Sequence, residues 1–352
     1  QQDTQKSQPE HATPHGRHYS TVIAGARGAP RKRDGIITGM GAIIAVDIGG
    51  THLRAALYEP DNTLPIVHQR VRTHAEQPGV YGRMEALIAS IWPRDREVMA
   101  IGVASPGPLD PHTGFVLKTP NIREWKNFPL APSLAEHFHV PVFLENDANL
   151  AALGEWKFGA GRGHHHVLYL TVSTGVGGGV ITHDRLLQGY HGLGTELGHT
   201  ILDPDGPACS CGFAGHLEAF SSGPAIARYV EQELKAGAHS SLRADDELTA
   251  RAIAEAAARG DALAIAAYRR AGEYLGIGVA NFLHAFDPSI VIFGGGVSQV
   301  GPLLFEPFRE SLKRRVFHPR YLEGLQIEMA ALGDDAGLLG ALALAQISIQ
   351  AN

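Results

Sequence analysis

Cysteine is scarce in this chain. Only Cys209 and Cys211 occur in 352 residues, and because a single residue separates them they are poorly placed to bond to each other. The sequence therefore contains no disulfide framework. Such sparing use of cysteine is typical of a reducing compartment, so we predict a cytoplasmic protein.

Long apolar runs and an excess of positive charge are missing as well. The apolar run at residues 338–345 falls well short of the roughly 20 residues that a membrane-spanning helix needs. Thirty Lys and Arg residues against 36 Asp and Glu residues give a formal net charge of −6, and a chain of that sign offers no general attraction to nucleic acid or to an anionic membrane. We therefore expect a small-molecule partner, with no nucleic acid and no membrane.

Glycine, by contrast, is abundant, with 42 residues. Residues 1–39 lack hydrophobic periodicity and the apolar segment of a signal peptide, and Met40 directly precedes the first strand-like run. We predict that residues 1–39 are a disordered leader or an added extension. From residue 41 onward, apolar runs alternate with glycine turns and helical stretches, which predicts a mostly parallel α/β fold.

Two glycine hairpins of similar design lie between strand-like runs, one at 47–51 and the other at 173–179. Their repetition predicts two related halves. Glycine lets backbone amides approach an anion without a Cβ in the way. Either segment alone could be an ordinary turn, but a nucleoside triphosphate needs donors from both sides, so the pair favours phosphate binding. Neither hairpin ends in Gly-Lys-Ser/Thr, which excludes a P-loop.

Other groups suited to a nucleotide lie on or near such glycines. Asp47 can hold Mg²⁺ directly or through water, and Thr51 can donate to a phosphate. A third glycine run, Gly294–Gly296, follows the buried-type strand at 290–293. Its bare backbone could admit a flat ring such as adenine, and a plain strand-to-helix turn is the alternative.

The segment Glu145-Asn146-Asp147 ends an apolar strand, which is where α/β sheets bind their ligands. A carboxylate there can accept the proton of an attacking hydroxyl, while the neighbouring amide orients the alcohol. Alternatively, Asp147 can cap the helix that begins near Asn149. The local sequence leaves the general-base and helix-cap interpretations evenly matched.

Metal-binding chemistry is concentrated between residues 196 and 218. His199, Cys209, Cys211 and His216 supply two imidazoles and two thiolates in a short, turn-rich span, which meets the ligand count and type of a closed tetrahedral zinc site. The alternatives for Cys-x-Cys are a redox pair or two small core residues, but the flanking Gly, Pro and Asp disfavour a buried apolar position. With four protein ligands, the zinc would shape the loop and would not activate water.

Together these motifs resemble the ROK family (repressor, open reading frame, kinase), and within it the bacterial glucokinases. The resemblance covers roughly residues 40–347 and rests on the ordered motifs Asp47-Ile48-Gly49-Gly50-Thr51, Pro120-Asn121, Glu145-Asn146-Asp147-Ala148-Asn149, Thr174-Gly175-Val176-Gly177-Gly178-Gly179, Glu196-Leu197-Gly198-His199 and the Cys-x-Cys-Gly segment. It implies an actin-like, ribonuclease-H-like ATPase fold of two domains with a cleft between them. The smaller domain would comprise residues 41–150 plus 335–350, and the larger one residues 151–334 with the zinc segment. A homodimer or homotetramer is implied as well.

The resemblance also implies a role for each matching position. The protein would be a kinase that transfers the γ-phosphate of ATP to the 6-hydroxyl of glucose, with Asp147 as general base and with Mg²⁺ and a structural Zn²⁺ as cofactors. The sugar would be held by Thr119, Asn121, Asn146, Asp147, Glu196, His199 and Glu218. The nucleotide and its Mg²⁺ would be held by Asp47, Gly49, Gly50, Thr51, Thr174, Gly175, Gly177, Gly294, Gly295 and Gly296. The zinc ligands would be His199, Cys209, Cys211 and His216, with the second ring nitrogen of His199 near the sugar.

The chain departs from the family pattern at one ligand, because His216 stands where family members usually have a third cysteine. Imidazole is a competent zinc ligand, but it is neutral, so the net charge of the site rises by one unit. The sequence therefore predicts a zinc site whose charge differs from the family pattern and whose geometry can differ too.

The choice of sugar depends on finer features. The turn Ser105-Pro106-Gly107-Pro108 resembles the glucokinase loop, whereas N-acylmannosamine kinases tend to have a Gly-Gly-Arg turn there and fructokinases differ around the zinc segment. Glucose is therefore the first prediction, with an N-acetylhexosamine or fructose as the alternative. A non-catalytic sugar-sensing regulator is disfavoured by Asp147 and by both phosphate hairpins, and residues 1–39 lack the helical periodicity of a DNA-binding domain.

Overall fold

The structure is a computed structural model that describes residues 41–75, 79–119 and 122–351. The predicted leader 1–39 and the predicted sugar ligand Asn121 lie outside the described residues. The strands are β1 (Gly41–Ile48), β2 (His52–Tyr58), β3 (Val67–Arg72), β4 (Glu97–Ser105), β5 (Leu109–Asp110), β6 (Phe115–Lys118), β7 (Lys126–Phe128), β8 (Val142–Asn146), β9 (His166–Val172), β10 (Val176–Thr182), β11 (Arg185–Leu186), β12 (Ile290–Gly294) and β13 (Gln326–Met329). The helices are α1 (Val80–Ser90), α2 (Leu130–Phe138), α3 (Asp147–Phe158), α4 (Leu217–Ser221), α5 (Gly223–Lys235), α6 (Ala250–Ala258), α7 (Ala262–Phe286), α8 (Pro302–Arg315) and α9 (Ala336–Ala351).

Two five-stranded sheets share one topology. Their strand orders are β3-β2-β1-β4-β8 and β11-β10-β9-β12-β13, and in each the first two pairings are antiparallel and the last two parallel. The prediction of two related halves is therefore confirmed. The prediction of a mostly parallel fold is wrong, because two of the four strand pairings in each sheet are antiparallel.

The glycines of the second hairpin lie elsewhere than expected. The turn is confined to 173–175, and Gly177, Gly178 and Gly179 belong to β10. A Cβ added at Gly178 would lie 2.5 Å from the Leu197 side chain, and one at Gly179 would lie 2.6 Å from Ala152 Cβ on α3. These glycines therefore let neighbouring elements pack directly on the strand, a requirement that comes from tertiary contacts.

Three layers of apolar side chains hold the sheets and helices together. The outer face of the first sheet packs against α1 and α2, and the outer face of the second sheet packs against α5, α6, α7 and α8. Between the two inner faces lies a third cluster built from α3 and α9 together with Ile43 of β1 and Tyr169 of β9. Residues of α3 and α9 therefore belong to a core that both sheets share.

Helix α9 approaches its neighbours closely through glycine. A Cβ at Gly340 would lie 1.9 Å from the carbonyl oxygen of Leu150 on α3, and a Cβ at Gly102 of β4 would lie 2.0 Å from the carbonyl oxygen of Ala341. Real Cβ atoms do not approach backbone oxygens so closely, so both positions require glycine. Helix α9 therefore packs closely against α3 on one side and against the first sheet on the other.

Helix starts follow ordinary capping chemistry. The side chain of Thr249 accepts from the amide of Ala252 at the start of α6, and Asp261 accepts from Ala264 at the start of α7. Each satisfies an amide that has no partner within its helix. The sequence predicts a helical stretch at 130–138, and its bounds agree with α2. It also predicts a Pro/Gly loop at 106–120, but that segment contains β5 and β6, which join β7 in a small sheet.

The described residues from Gly41 onward form one compact unit. The division into 41–150 plus 335–350 and 151–334 stays a prediction. Among residues 41–75, 79–119 and 122–351, no helix combines the length and the apolarity that crossing a bilayer requires.

Candidate active site

A cavity of about 430 Å³ opens between Asp47 and Arg54 of the first hairpin strands and the turn of the second hairpin. Its lining unites residues that the sequence analysis singled out separately. They come from β1, the start of α3, the second hairpin and the zinc segment, and they are Asp47, Asn146, Asp147, Thr174, Gly175, Gly177, Glu196 and Glu218. The topology therefore brings the predicted base, the predicted magnesium ligand and one phosphate hairpin into a single cleft.

Asp147 is the first residue of α3, and the cap of that helix is Asn146. The Asn146 Oδ1 accepts from the amides of Ala148 at 2.9 Å and Asn149 at 3.2 Å. The alternative that Asp147 caps the helix is therefore wrong. Asp147 is free to face the cavity, while one of its oxygens accepts from Ala148 N at 2.8 Å.

The electrostatics of the cleft favour a basic carboxylate at this position. Burial, and next the negative charge of Asp47, raise the pKa of Asp147 to about 6, with a smaller contribution from Glu196. A carboxylate with a raised pKa is a better proton acceptor near neutral pH than an ordinary aspartate. The geometry and the pKa of Asp147 thus both suit general-base chemistry.

Asp47 lines the same cavity as Asp147 and is paired with a cation. Its Oδ2 accepts from Arg54 Nε at 2.9 Å and also from Arg54 Nη2, because antiparallel pairing of β1 and β2 sets position 47 across from position 54. A Cβ at Gly337 would lie 3.1 Å from Asp47 Oδ1, so glycine there leaves that oxygen unobstructed. One carboxylate beside the two predicted phosphate hairpins fits Mg²⁺, which takes few protein ligands and completes its shell with phosphate and water oxygens.

The first phosphate hairpin is held by a residue that the sequence analysis did not single out. Thr73 is fully buried; its Oγ1 donates to the carbonyl of Gly49 at 2.6 Å, and its amide donates to the carbonyl of Thr51 at 2.9 Å. Gly50 and Thr51 are exposed, and they do not line the 430 Å³ cavity. Their predicted phosphate contacts stay predictions.

A larger cavity, of about 1370 Å³, begins on the other side of the second hairpin. Thr174 lines both cavities, and Gly296 lines the larger one. Gly294 and Gly295 do not reach its wall: a Cβ at Gly294 would lie 2.4 Å from the Tyr169 hydroxyl, and Gly295 has φ +85°. These two glycines serve packing and backbone geometry, so of the predicted run only Gly296 lies where an adenosine could contact it.

Only some of the predicted sugar ligands line the smaller cavity. Glu196 and Glu218 line the smaller cavity, whereas His199 turns its Nδ1 toward Cys209. Thr119 is buried, and its Oγ1 accepts from the amide of Ile122 at 3.1 Å. Its predicted role at the sugar stays untested.

The proline turn at residues 105–108 reaches the cavity. Pro108 and Leu109 line it, and a Cβ at Gly107 would lie 3.2 Å from Asn146 Nδ2. Since the Asn146 oxygen is used for capping, its Nδ2 is the group left to donate to a ligand. The turn therefore packs directly against that donor.

The four predicted metal ligands meet in one cluster. One ligand atom from each of His199, Cys209, Cys211 and His216 lies within 4.8 Å of all the others, with 3.7 Å between Cys209 Sγ and His199 Nδ1 and 3.3 Å between Cys211 Sγ and His216 Nδ1. Tetrahedral zinc at about 2.0 to 2.3 Å from its ligands implies ligand separations of roughly 3.3 to 3.8 Å. The donor set and spacing fit zinc, including His216 as the fourth ligand.

Within this cluster, the Cys209 thiol and the His216 imidazole both favour their neutral forms. Burial raises the pKa of the Cys209 thiol to about 11, while burial and the neighbouring His199 lower the pKa of His216. Neutral imidazole is the form that binds metal, and a bound cation would convert the thiol to thiolate.

Glu218 joins the metal cluster to the second phosphate hairpin. Its Oε1 accepts from Ser210 Oγ at 2.6 Å and lies 3.3 Å from Cys209 Sγ, and its Oε2 accepts from Val176 N at 3.1 Å. The conformation of the segment that carries Cys209 and Ser210 therefore sets the position of the Glu218 carboxylate at the edge of the cavity.

Comparison with known proteins decides the family. Residues 43–348 match the model of the ROK family. The chain belongs to the ROK family. The family and the actin-like fold predicted from the motifs are thereby confirmed.

Individual ROK proteins resemble the chain over most of its length. The glucokinase of Thermotoga maritima is 39% identical over 308 residues, which cover 86% of this chain and 96% of the relative. A xylose repressor of Caldicellulosiruptor bescii is 36% identical over 250 residues, 70% of this chain and 62% of the relative.

Solved structures of ROK proteins give the same result. A ROK hexokinase from Thermus thermophilus superposes with a TM-score of 0.76 at 36% identity, covering 88% of this chain and 100% of the other. A ROK glucokinase from Streptomyces griseus in complex with glucose and AMPPNP superposes with a TM-score of 0.72 at 35% identity, covering 87% and 100%.

Proposed function

We propose that the protein transfers the γ-phosphate of ATP to the 6-hydroxyl of glucose. The observation that supports this most directly is Asp147, a carboxylate with a raised pKa that faces a cavity between Asp47 and the second phosphate hairpin. The prediction of a ROK-type sugar kinase is confirmed by the glucokinase and hexokinase relatives. The sugar, the roles of individual residues and the metal ions belong to the proposal.

Phosphoryl transfer asks the protein mainly to position its reactants and to balance charge. Asp147 accepts the proton of the 6-hydroxyl as that oxygen attacks, and the Asn146 Nδ2 orients the sugar beside it. Glu196 and Glu218, on the cavity wall, accept hydrogen bonds from other hydroxyls. The amides of the second hairpin face the phosphates, where no Cβ obstructs their approach.

Asp47 is the residue that would hold Mg²⁺. The ion would supply charge neutralisation at the phosphate oxygens. Arg54, paired with Asp47, fixes the direction of the carboxylate and balances its charge before nucleotide arrives.

The zinc site would be structural, because its four protein ligands leave no open position. His199, Cys209, Cys211 and His216 would hold the ion, and the ordered loop would keep Glu218 against the second hairpin. The implied homodimer or homotetramer, the cytoplasmic location and the absence of nucleic-acid partners stay predictions.

The sugar assignment is tested with a panel of hexoses in a coupled assay for ADP release. A cavity lined by carboxylates and an amide rejects an epimer that leaves one of these groups unpaired. We expect kcat/KM for glucose to exceed that for galactose, fructose and the N-acetylhexosamines by at least about tenfold. Faster turnover of an N-acetylhexosamine or of fructose would replace glucose as the substrate, and sugar binding without any turnover would indicate a sensing regulator.

The pH dependence tests the state of Asp147. The base must be ionised to accept a proton, so a raised pKa moves the loss of activity to higher pH. We expect kcat/KM for glucose to fall as the pH drops through about 6, the pKa of Asp147, since this parameter reports the free enzyme. The concentration of the Mg²⁺ complex of ATP is held constant across the series, because ATP itself titrates in that range. A decrease of kcat/KM centred near pH 4 would show instead that the pKa of Asp147 is that of an ordinary aspartate.

Metal content tests the fourth zinc ligand. Protein purified without added zinc should contain about one zinc per chain by elemental analysis. Changing His216→Ala should remove most of it, while His216→Cys should retain it because a thiolate also binds zinc. His239→Ala, at an exposed position, is the matched control. Full zinc content in the His216→Ala variant would show that His216 is not a ligand and that only three protein ligands hold the zinc.

A further inference from the structure

The loop at residues 188–196, named here the rim loop, forms one wall of the active-site cavity. Its members Gly192, Leu193, Gly194, Thr195 and Glu196 line that cavity. The loop closes on itself through a bond from Gly194 N to the carbonyl of Gln188, at 2.8 Å. Its position therefore determines where Glu196 stands relative to Asp147.

One end of the rim loop bonds directly to a buried carboxylate that the mechanism does not use, and the other end reaches the same carboxylate through Asn149. At the first end, Gln188 Nε2 donates to Glu145 Oε2. At the second end, the single proton of Thr195 Oγ1 has two acceptors, Asn149 Oδ1 at 2.7 Å and the carbonyl of Gly194 at 2.6 Å, and Asn149 Nδ2 donates to Glu145 Oε1 at 3.1 Å. Glu145 has no exposed surface and its bond with Asn149 is buried, whereas the bonds made by Gln188 and Thr195 are partly buried.

The second end is also a place of backbone strain. Thr195 has φ +65°, a left-handed conformation that β-branched residues rarely adopt. Such a conformation persists only where its surroundings hold it, and strained residues of this kind are concentrated at functional sites. Here the hydroxyl bond to Asn149 holds Thr195, the residue directly before Glu196.

The same carboxylate supports the start of α3. Glu145 Oε1 also accepts from the amide of Asn146 at 2.8 Å. The next residue along the chain, Asp147, faces the cavity. One buried group therefore bonds directly to the segment that carries the base and to Gln188, and it reaches Thr195 through Asn149.

We propose that Glu145 is a positioning residue that holds the rim loop against the start of α3 and thereby sets the affinity for the sugar. The proposal rests on the proposed sugar kinase function. Glu145 does not touch the reacting atoms; it acts through Gln188, Asn149 and Thr195. Loss of its bonds should weaken sugar binding more than it slows phosphoryl transfer or weakens ATP binding.

The arrangement of donors suggests a reciprocal exchange as the test. Glu145 Oε1 receives the bonds from Asn146 and Asn149, whereas Oε2 faces Gln188. In Gln188→Glu, two carboxylates would face each other and repel. In the double variant Glu145→Gln with Gln188→Glu, the new amide keeps its oxygen for the two other donors and donates its nitrogen to the carboxylate at position 188.

We expect Gln188→Glu to raise KM for glucose about tenfold, the effect of losing a hydrogen bond to a charged group, with KM for ATP changed by less than about twofold. The double variant should return KM for glucose to within about threefold of the wild type. Glu145→Gln alone should be mild, because the Gln188 amide can rotate to present its oxygen. Gln232→Glu, at an exposed position on α5, controls for the added charge.

A second readout does not depend on the substrate. Amide hydrogen exchange at residues 189–196 should be faster in Gln188→Glu and slow again in the double variant. An unchanged KM for glucose together with unchanged exchange in Gln188→Glu would overturn the proposal, as would a folded double variant that recovers neither. If glucose proves not to be the substrate, the exchange measurement still decides the role of Glu145, and the kinetic arm is run with the hexose that is turned over.

Discussion

Replacing Asp147 with asparagine is expected to lower kcat at least about 100-fold, the usual effect of removing a general base. Asparagine matches the volume of aspartate but cannot accept a proton at neutral pH. Helix α3 should be unaffected, because its cap is the neighbouring Asn146. Steady-state kinetics with glucose and ATP measure the loss, and calorimetric titration with glucose measures binding separately.

The matched comparison is Asn146→Ala. That variant keeps the base but removes the cap and the Nδ2 donor, so it should raise KM for glucose and lower thermal stability while retaining more kcat than Asp147→Asn. A kcat near the wild-type value in Asp147→Asn would refute its role as the base. Lost glucose binding in that variant would instead point to a role in holding the sugar.

Replacing Gly340 with alanine is expected to destabilise the protein by about 3 kcal/mol or more, at the upper end of what overpacking a core costs. The added Cβ would lie 1.9 Å from the carbonyl oxygen of Leu150, and the flanking helices are held on both sides, so neither can move away freely. The midpoint of urea unfolding measures the change.

Gly79→Ala is the matched control for this substitution. Nothing lies within 4 Å of a Cβ at Gly79, and its φ of −58° suits any residue, so its unfolding midpoint should change little. A Gly340→Ala midpoint close to that of the control would show that α3 and α9 can separate at small cost.

Features with a local cause could be predicted from the sequence. The bounds of α2 follow from its apolar spacing, and the first hairpin from the glycines between two apolar runs. The three glycines of β10 were placed in a loop because composition alone favours a turn. Only the contacts with Leu197 and Ala152 explain why a strand needs them.

In the site, too, residues that are close in the sequence could be predicted, whereas those brought together by tertiary packing could not. The metal ligands lie within 18 residues of one another, from His199 to His216, so their chemistry is visible in one segment. Arg54 could have been found by pairing the first hairpin around its turn, since that register sets it opposite Asp47. Gln188 could not, because it meets Glu145 across 43 residues through the packing of two sheets, and no local pattern marks it.

The position of α9 has a consequence for protein synthesis. Residues 336–351 leave the ribosome after every strand of both sheets, yet they cover the inner faces of those sheets together with α3. Until then, the inner face of β1, with Ile43 and Ala45, lacks the helix that packs against it. We therefore expect the first sheet to keep apolar surface exposed during synthesis and to complete its packing only after this helix has been translated.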